Sequence, residues 1–299
     1  MPDFVLMAES LLVAAIVAGL ALLVIARPAS PSPWRVATGW VAGLGAGIYG
    51  GCGWLGELPR WPPLEDRDRF LVILLPLALA VEGAAMLIKP RWPIWIARIA
   101  VAAAAAPILL YNSSYIADLD GDGPGSAEWN RAETALVLSL SAVMLAGVWG
   151  LLGRLKARDS DRALSPVLVF TALASGVTVM LCGYFRGGRL ALPIAGAIAG
   201  VTLASYAFPK QQVENPCLGI GIIGIFTIRF IGRFYGSLPT SLAIGLLLAP
   251  LLAWTAELPW FRKLPPAARA TIGIAAVLAA LALIVTYAQL RFNAAAQGL

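Results

Sequence analysis

The feature that most constrains this chain is a series of unbroken apolar runs, each about as long as a bilayer is thick. They fall at 4–26, 34–56, 70–89, 93–111, 132–153, 165–185, 190–208, 216–235, 239–257 and 267–290. A helix needs about 20 apolar residues to cross a hydrocarbon core. Spanning strands alternate apolar and polar residues, and these runs do not, so they read as helices. The chain is 60% hydrophobic and 13% charged, against about 25% charged in soluble domains. The expectation is an all-α polytopic transmembrane helical bundle of about ten spans. No linker is long enough to divide it, so residues 1–299 read as one integral membrane domain.

Histidine is absent. That removes the usual haem ligand, the His-based zinc sites and the Ser-His-Asp and Cys-His nucleophile systems. Cys52, Cys182 and Cys217 form no close pair and read as small buried apolar residues. The net charge of +6 sits in short loops between spans, which points to membrane orientation and not to nucleic acid. The N-terminal MPDFVLMAES is acidic and lacks the basic start of a signal peptide. It reads as an uncleaved first helix with its N-terminus outside. On that assignment thirteen basic residues fall inside and nine outside, with the run Arg154–Arg162 weighing most. Arg67 and Arg69 count there as outer-loop residues, and both termini lie outside.

Four groups of residues stand out. Glycines 39, 43, 47 and 51 recur every four residues in the second span, a strip that admits another helix backbone. Gly196, Gly200 and Ala204 repeat the pattern in the seventh span. Glu82 and Arg98 each lie eight residues from Pro90, so a helical hairpin sets them at matching depth, roughly 12 Å from the turn. They read as an intramembrane ion pair, serving as a structural clamp or a proton relay. Arg229 and Arg233 leave the eighth span on one face, amid Phe226, Phe230, Phe234 and Tyr235. Either they snorkel to headgroups, with Glu9 or Glu133 as partners, or they bind an anion or lipid phosphate. Asp118, Asp120 and Asp122, followed by Gly123, match the first half of a calcium loop. Position 12 is Trp129 where a bidentate Glu belongs, so Ca²⁺ competes there with a plain solvated turn. No other cofactor is indicated.

Trp54-x-x-Glu57-Leu58-Pro59 and Trp254-x-x-Glu257-Leu258-Pro259 repeat one pattern. Each reads as a helix end with an interfacial Trp and prolines that start the next helix.

The stretches Ser175–Tyr184, Gly219–Tyr235 and Ala249–Trp254 resemble a group of bacterial multi-span membrane proteins with no assigned activity. The likeness is strongest between Ser165 and Pro266. It implies a bacterial inner (cytoplasmic) membrane and transfers no site. Three functions remain open. The first is a non-catalytic structural or assembly subunit, with membrane lipid and other membrane subunits as partners. The second is a secondary transporter or channel for a small solute or ion. The third is an intramembrane enzyme acting on lipid, for which only the Asp118–Asp122 loop offers a cluster of acids.

Overall fold

A computed structural model describes residues 4–26, 32–89, 91–116, 128–156, 161–208 and 217–297. The Asp118, Asp120 and Asp122 loop lies outside them. Among the described residues, ten long helices form the bundle. They are α1 (Phe4–Ala26), α2 (Pro33–Trp54), α3 (Asp66–Leu87), α4 (Trp92–Leu110), α5 (Arg131–Leu155), α6 (Asp161–Leu181), α7 (Phe185–Ser205), α8 (Cys217–Phe234), α9 (Thr240–Glu257) and α10 (Pro266–Ala296). Among the described residues there is no strand, and nine helices are long and apolar enough to cross a membrane. The other is α2, whose 22 residues would also span. Its run of glycines dilutes its apolarity, because a glycine adds no hydrocarbon.

Local chemistry sets the helix ends. Ser32 caps α2 by accepting from the Arg35 backbone N–H at 3.3 Å, and Pro33 fills the first position. Asn130 and Glu133 form a reciprocal capping box at the start of α5. Gly56 and Gly183 stop α2 and α6 with φ of +68° and +87°, a conformation that costs glycine little. α3 passes through a wide π turn at Phe70–Leu74. Tyr49 on α2 donates its hydroxyl to the Leu71 carbonyl within that turn. α9 tightens into a 3₁₀ helix at Ala249–Glu257.

Contacts between helix ends show the chain alternating direction. Trp54 at the end of α2 meets Glu9 near the start of α1, and Arg189 on α7 meets Glu57 just beyond α2. Trp129 before α5 packs on Phe234 at the end of α8, and Arg291 on α10 lies near Cys182. The beginning of α1 and the end of α10 therefore share one end of the bundle, called here the terminal end.

Two packing units organise the core. In the first, α1, α2 and α7 approach backbone to backbone. A Cβ on Gly43 would lie 2.8 Å from the Ala18 carbonyl oxygen, and one on Gly47 would lie 2.6 Å from the Ala18 Cβ. Gly39 packs on Leu22 and Ala26, and Gly51 on Ala14 and Pro193. Gly196 and Gly200 of α7 press on the Leu11 and Ala15 carbonyls. Ser10 donates to the Gly51 carbonyl at 2.9 Å, closing the seam. The second unit is α8, buried at every residue from Cys217 to Gly232. It touches α3, α4, α5, α6, α7 and α9. Its glycines admit neighbours around its circumference: Gly219 faces Glu82, Gly221 faces Leu168, Gly224 faces Ile194 and Gly232 faces Val179.

Candidate functional site

Glu82 and Arg98 meet. Arg98 Nε donates to Glu82 Oε1 at 2.8 Å and Nη2 to Oε2 at 3.0 Å, a two-pronged pair between α3 and α4. Glu82 is 3% exposed. The guanidinium also lies 5.2 Å from the Trp95 ring centroid and 5.7 Å from that of Trp149. Two parallel hydrogen bonds and two aromatic faces offset the cost of holding a charge in the bundle. Gly219 of α8 covers the carboxylate so closely that a Cβ there would lie 2.5 Å from Glu82 Cδ. The arrangement ties α3, α4 and α8 together at one depth.

A second charged cluster was not legible in the hydropathy pattern. The third span begins at Asp66, ahead of the expected residue 70, so Arg67 and Arg69 are not loop residues. Asp66, Arg67, Asp68 and Arg69 form the first turn of α3 and all four are buried. Arg67 Nη1 pairs with Glu57 at 3.2 Å, and the other Glu57 oxygen pairs with Arg189 at 2.9 Å. Arg69 donates to the Leu109 carbonyl at 3.0 Å and to that of Leu64. Tyr235 reaches the same Leu109 carbonyl at 2.9 Å, so the last turn of α4 is capped by side chains. Tyr184, in the turn between α6 and α7, donates to Asp66 at 3.0 Å. Burial, and then the Asp66 carboxylate, push its phenol well above the usual range. Charges lower a hydropathy average whether or not they are paired, and the pairing made this turn buriable. The alternating Asp-Arg-Asp-Arg directly before an apolar run was the available signal.

The repeated Trp-x-x-Glu-Leu-Pro pattern has a physical counterpart. Each glutamate lies at or just beyond a helix end and faces an arginine of the next helix, Glu57 with Arg67 and Glu257 with Arg269 at 3.8 Å. The copies sit at opposite ends of the bundle.

Arg229 and Arg233 behave differently from both clusters. Arg229 lies five residues before the end of α8, roughly 8 Å along the axis. It does not snorkel, being 6% exposed. Its Nη1 donates to the Ala243 carbonyl of α9 at 3.3 Å, and the guanidinium lies 4.7 Å from the Phe226 ring centroid. Its Nε has no hydrogen-bond partner. Among the described residues no carboxylate lies within ion-pair distance of either arginine. Both acids offered as partners are engaged elsewhere. Glu9 accepts from Trp54 Nε1 at 3.1 Å, and Glu133 accepts from the Asn130 backbone N–H at 3.0 Å. Arg233 Nε donates to Thr240 Oγ1 at 2.8 Å.

Both guanidiniums line a cavity of about 400 Å³ between α5, α8 and the start of α9. Its lining also includes Glu133, Ser141 and Thr240 and is otherwise apolar, with Leu136, Val137, Leu140 and Met144 from α5 and Ile244 from α9. Leu136 is 68% and Leu140 56% exposed on the outer face of the bundle. The cavity therefore opens sideways, toward the hydrocarbon that would surround the protein. Depth, partner and cavity all depend on how α5 and α9 pack on α8, which the spacing of two arginines does not encode. Among the described residues, no three side chains of metal-ligating type converge. Among the described residues, Cys52, Cys182 and Cys217 form no disulfide.

Compared with models of known protein families, with curated proteins and with solved structures, the chain matches none of them.

Proposed function

We propose that this membrane protein takes an anionic amphiphile from the bilayer into the cavity between α5, α8 and α9. Arg229 carries the reading. An arginine at membrane depth costs about 2.5–3.5 kcal/mol on insertion scales, and buried charges are normally paired. Among the described residues, buried Arg67 and Arg69 and part-buried Arg98 have carboxylate or multiple carbonyl partners. Arg229 has one long bond to a carbonyl and, among the described residues, no carboxylate within ion-pair distance. An anionic headgroup entering from the side would supply the missing charge, while its hydrocarbon occupies the apolar walls.

This reading belongs with the carrier and lipid-acting functions more than with a pure assembly subunit. The glycine strips are used inside the chain, seating α1, α2 and α7 on one another, and so give no support to a docking role. The basic-residue distribution and the resemblance between Ser165 and Pro266 support a bacterial inner membrane with both termini outside.

The test is thermal stability of the purified protein in a neutral detergent. A ligand bound to the folded state at a hundred times its Kd stabilises by about 2.7 kcal/mol. An anionic single-chain lipid is expected to raise the melting temperature, and a neutral lipid with the same chain is not. Arg229→Met is expected to remove the difference. Equal responses to anionic and neutral lipid, or an unchanged response in a folded Arg229→Met protein, would refute the reading.

A further inference from the structure

Resting on that reading, we infer that the ligand is a lipid of one leaflet, the leaflet at the terminal end, and that it leaves the cavity by the side through which it entered. On the proposed orientation that leaflet is the outer one. Glu133 shares the lining with Arg229 and Arg233, so the lining carries one net positive charge, which a headgroup with one negative charge balances.

Depth carries the choice of leaflet. The cavity begins at Trp129 just before α5, at Phe234 ending α8 and at Thr240 starting α9. All three lie at the terminal end. Along α5 the lining runs from Glu133 to Met144, roughly 16 Å at helical rise. That is close to half of a hydrocarbon core about 30 Å thick. Along α8 it reaches no deeper than Arg229, in the last third of the helix, and along α9 no deeper than Ile244. The exposed Leu136 and Leu140, where the cavity opens sideways, lie within the same half.

Closure at the other end carries the way out. α5 and α9 flank the cavity at the start of α9 and pack together at its 3₁₀ segment, Ala249–Glu257. Beyond Met144, α5 turns Leu145, Val148, Trp149 and Leu152 into the bundle, all buried. Trp149 lies against the Arg98 guanidinium, part of the knot that ties α3, α4 and α8 together. On α9, Leu246 and Leu247 are buried beyond Ile244. Among the described residues, packed hydrocarbon therefore stands between Arg229 and the opposite leaflet. A headgroup charge passes through such packing only at high cost, whereas the exposed margin of α5 lies beside it.

Photolabelling in vesicles tests this on the native sequence. An affinity tag on the end of α10 sorts vesicles into those with the terminal end outward and those with it inward. Lysophosphatidylglycerol bearing a diazirine in its chain is added from outside, and lysophosphatidylcholine with the same chain is the neutral control. The readout is the excess of anionic over neutral labelling on α5 between Leu136 and Met144. The excess is expected in tag-outward vesicles and is expected to be lost in tag-inward ones. In tag-outward vesicles the anionic probe should also stay fully extractable by external albumin. An equal excess in both orientations, or an excess only with the tag inward, overturns the choice of leaflet and leaves the amphiphile reading standing. Protein-dependent loss of extractability overturns the one-sided exchange. No excess in either orientation overturns both this inference and the reading on which it rests.

Discussion

At the scale of single residues, a buried charge is as stable as its partner. Removing one member of a buried pair typically costs about 3–5 kcal/mol, whereas replacing both can be close to neutral. Glu82→Gln is therefore expected to lower the melting temperature sharply, and adding Arg98→Met to recover much of the loss. A double-mutant cycle on detergent melting checks this; coupling below about 0.5 kcal/mol would mean the pair contributes nothing as a pair. Gly219 gives an independent reading of the same contact. Gly219→Ala should destabilise the native protein, because its methyl would meet the Glu82 carboxylate. It should be much milder in a Glu82→Ala background, where that obstruction is gone. Tyr184 follows a different rule. Its phenol donates to buried Asp66 and has a raised pKa, so the folded state holds that proton more tightly than the unfolded chain does. Its contribution is fully present below the free phenol value of about 10 and is lost as pH rises through the raised value. Tyr184→Phe should cost about 1–3 kcal/mol. Measured by melting, that cost should be constant from neutral pH to about pH 9.

At the scale of elements, glycine decides which helices can touch. On α2 the strip at 39, 43, 47 and 51 lets α1 approach until carbonyl oxygens sit where a side chain would begin. At Gly43, Gly47 and Gly51 the nearest obstructing atoms are carbonyl oxygens or Cβ atoms, which cannot swing aside as a flexible side-chain end can. Gly47→Leu and Gly43→Leu are each expected to cost about 3 kcal/mol or more by overpacking, seen as a lower melting temperature and reduced expression. Gly147 on α5 is the control, because a Cβ there meets nothing within 4 Å. Gly147→Ala should be neutral or slightly stabilising, by up to about 1 kcal/mol, through helix propensity. Equal responses at Gly47 and Gly147 would show that proximity in α1–α2 packing is not what the strip provides.

At the scale of the whole molecule, ten alternating helices place the two chain ends together and set exposed tryptophans at two levels. Trp54 and Trp61 stand at the terminal end, Trp34, Trp92 and Trp260 at the other, and all five are exposed. Tryptophan concentrates where hydrocarbon meets headgroup, so these residues mark the two faces of the bilayer. In a version with the native cysteines changed to alanine, a membrane-impermeant thiol reagent applied from outside the cell should label Trp61→Cys and not Trp260→Cys. Labelling of both from the same side would break the ten-helix alternation. The reversed pattern would keep the fold and overturn the outward placement of the termini.

What the sequence by itself determined was the set of helices and the partners that lie close along the chain. Apolar runs of bilayer length can satisfy their backbone only as helices, and Glu82 and Arg98 sit at equal distances from one tight turn. A four-residue glycine period likewise announces a close helix contact, whichever helix fills it. The tertiary structure alone decided the rest. The buried first turn of α3 depends on Arg189 and Tyr184, which arrive from the start of α7 and the turn before it, far off in sequence, to meet Glu57 and Asp66. The acids at comparable depth, Glu9 and Glu133, form no ion pair with Arg229 and bond instead to Trp54 and to the cap of α5. The cavity exists because α5 and α9 stand apart where they flank α8. A charge's local spacing says which face of its own helix it occupies. Whether that face meets a carboxylate, a carbonyl or an empty apolar cavity is a property of the neighbouring helices, and those are chosen by packing over the whole bundle.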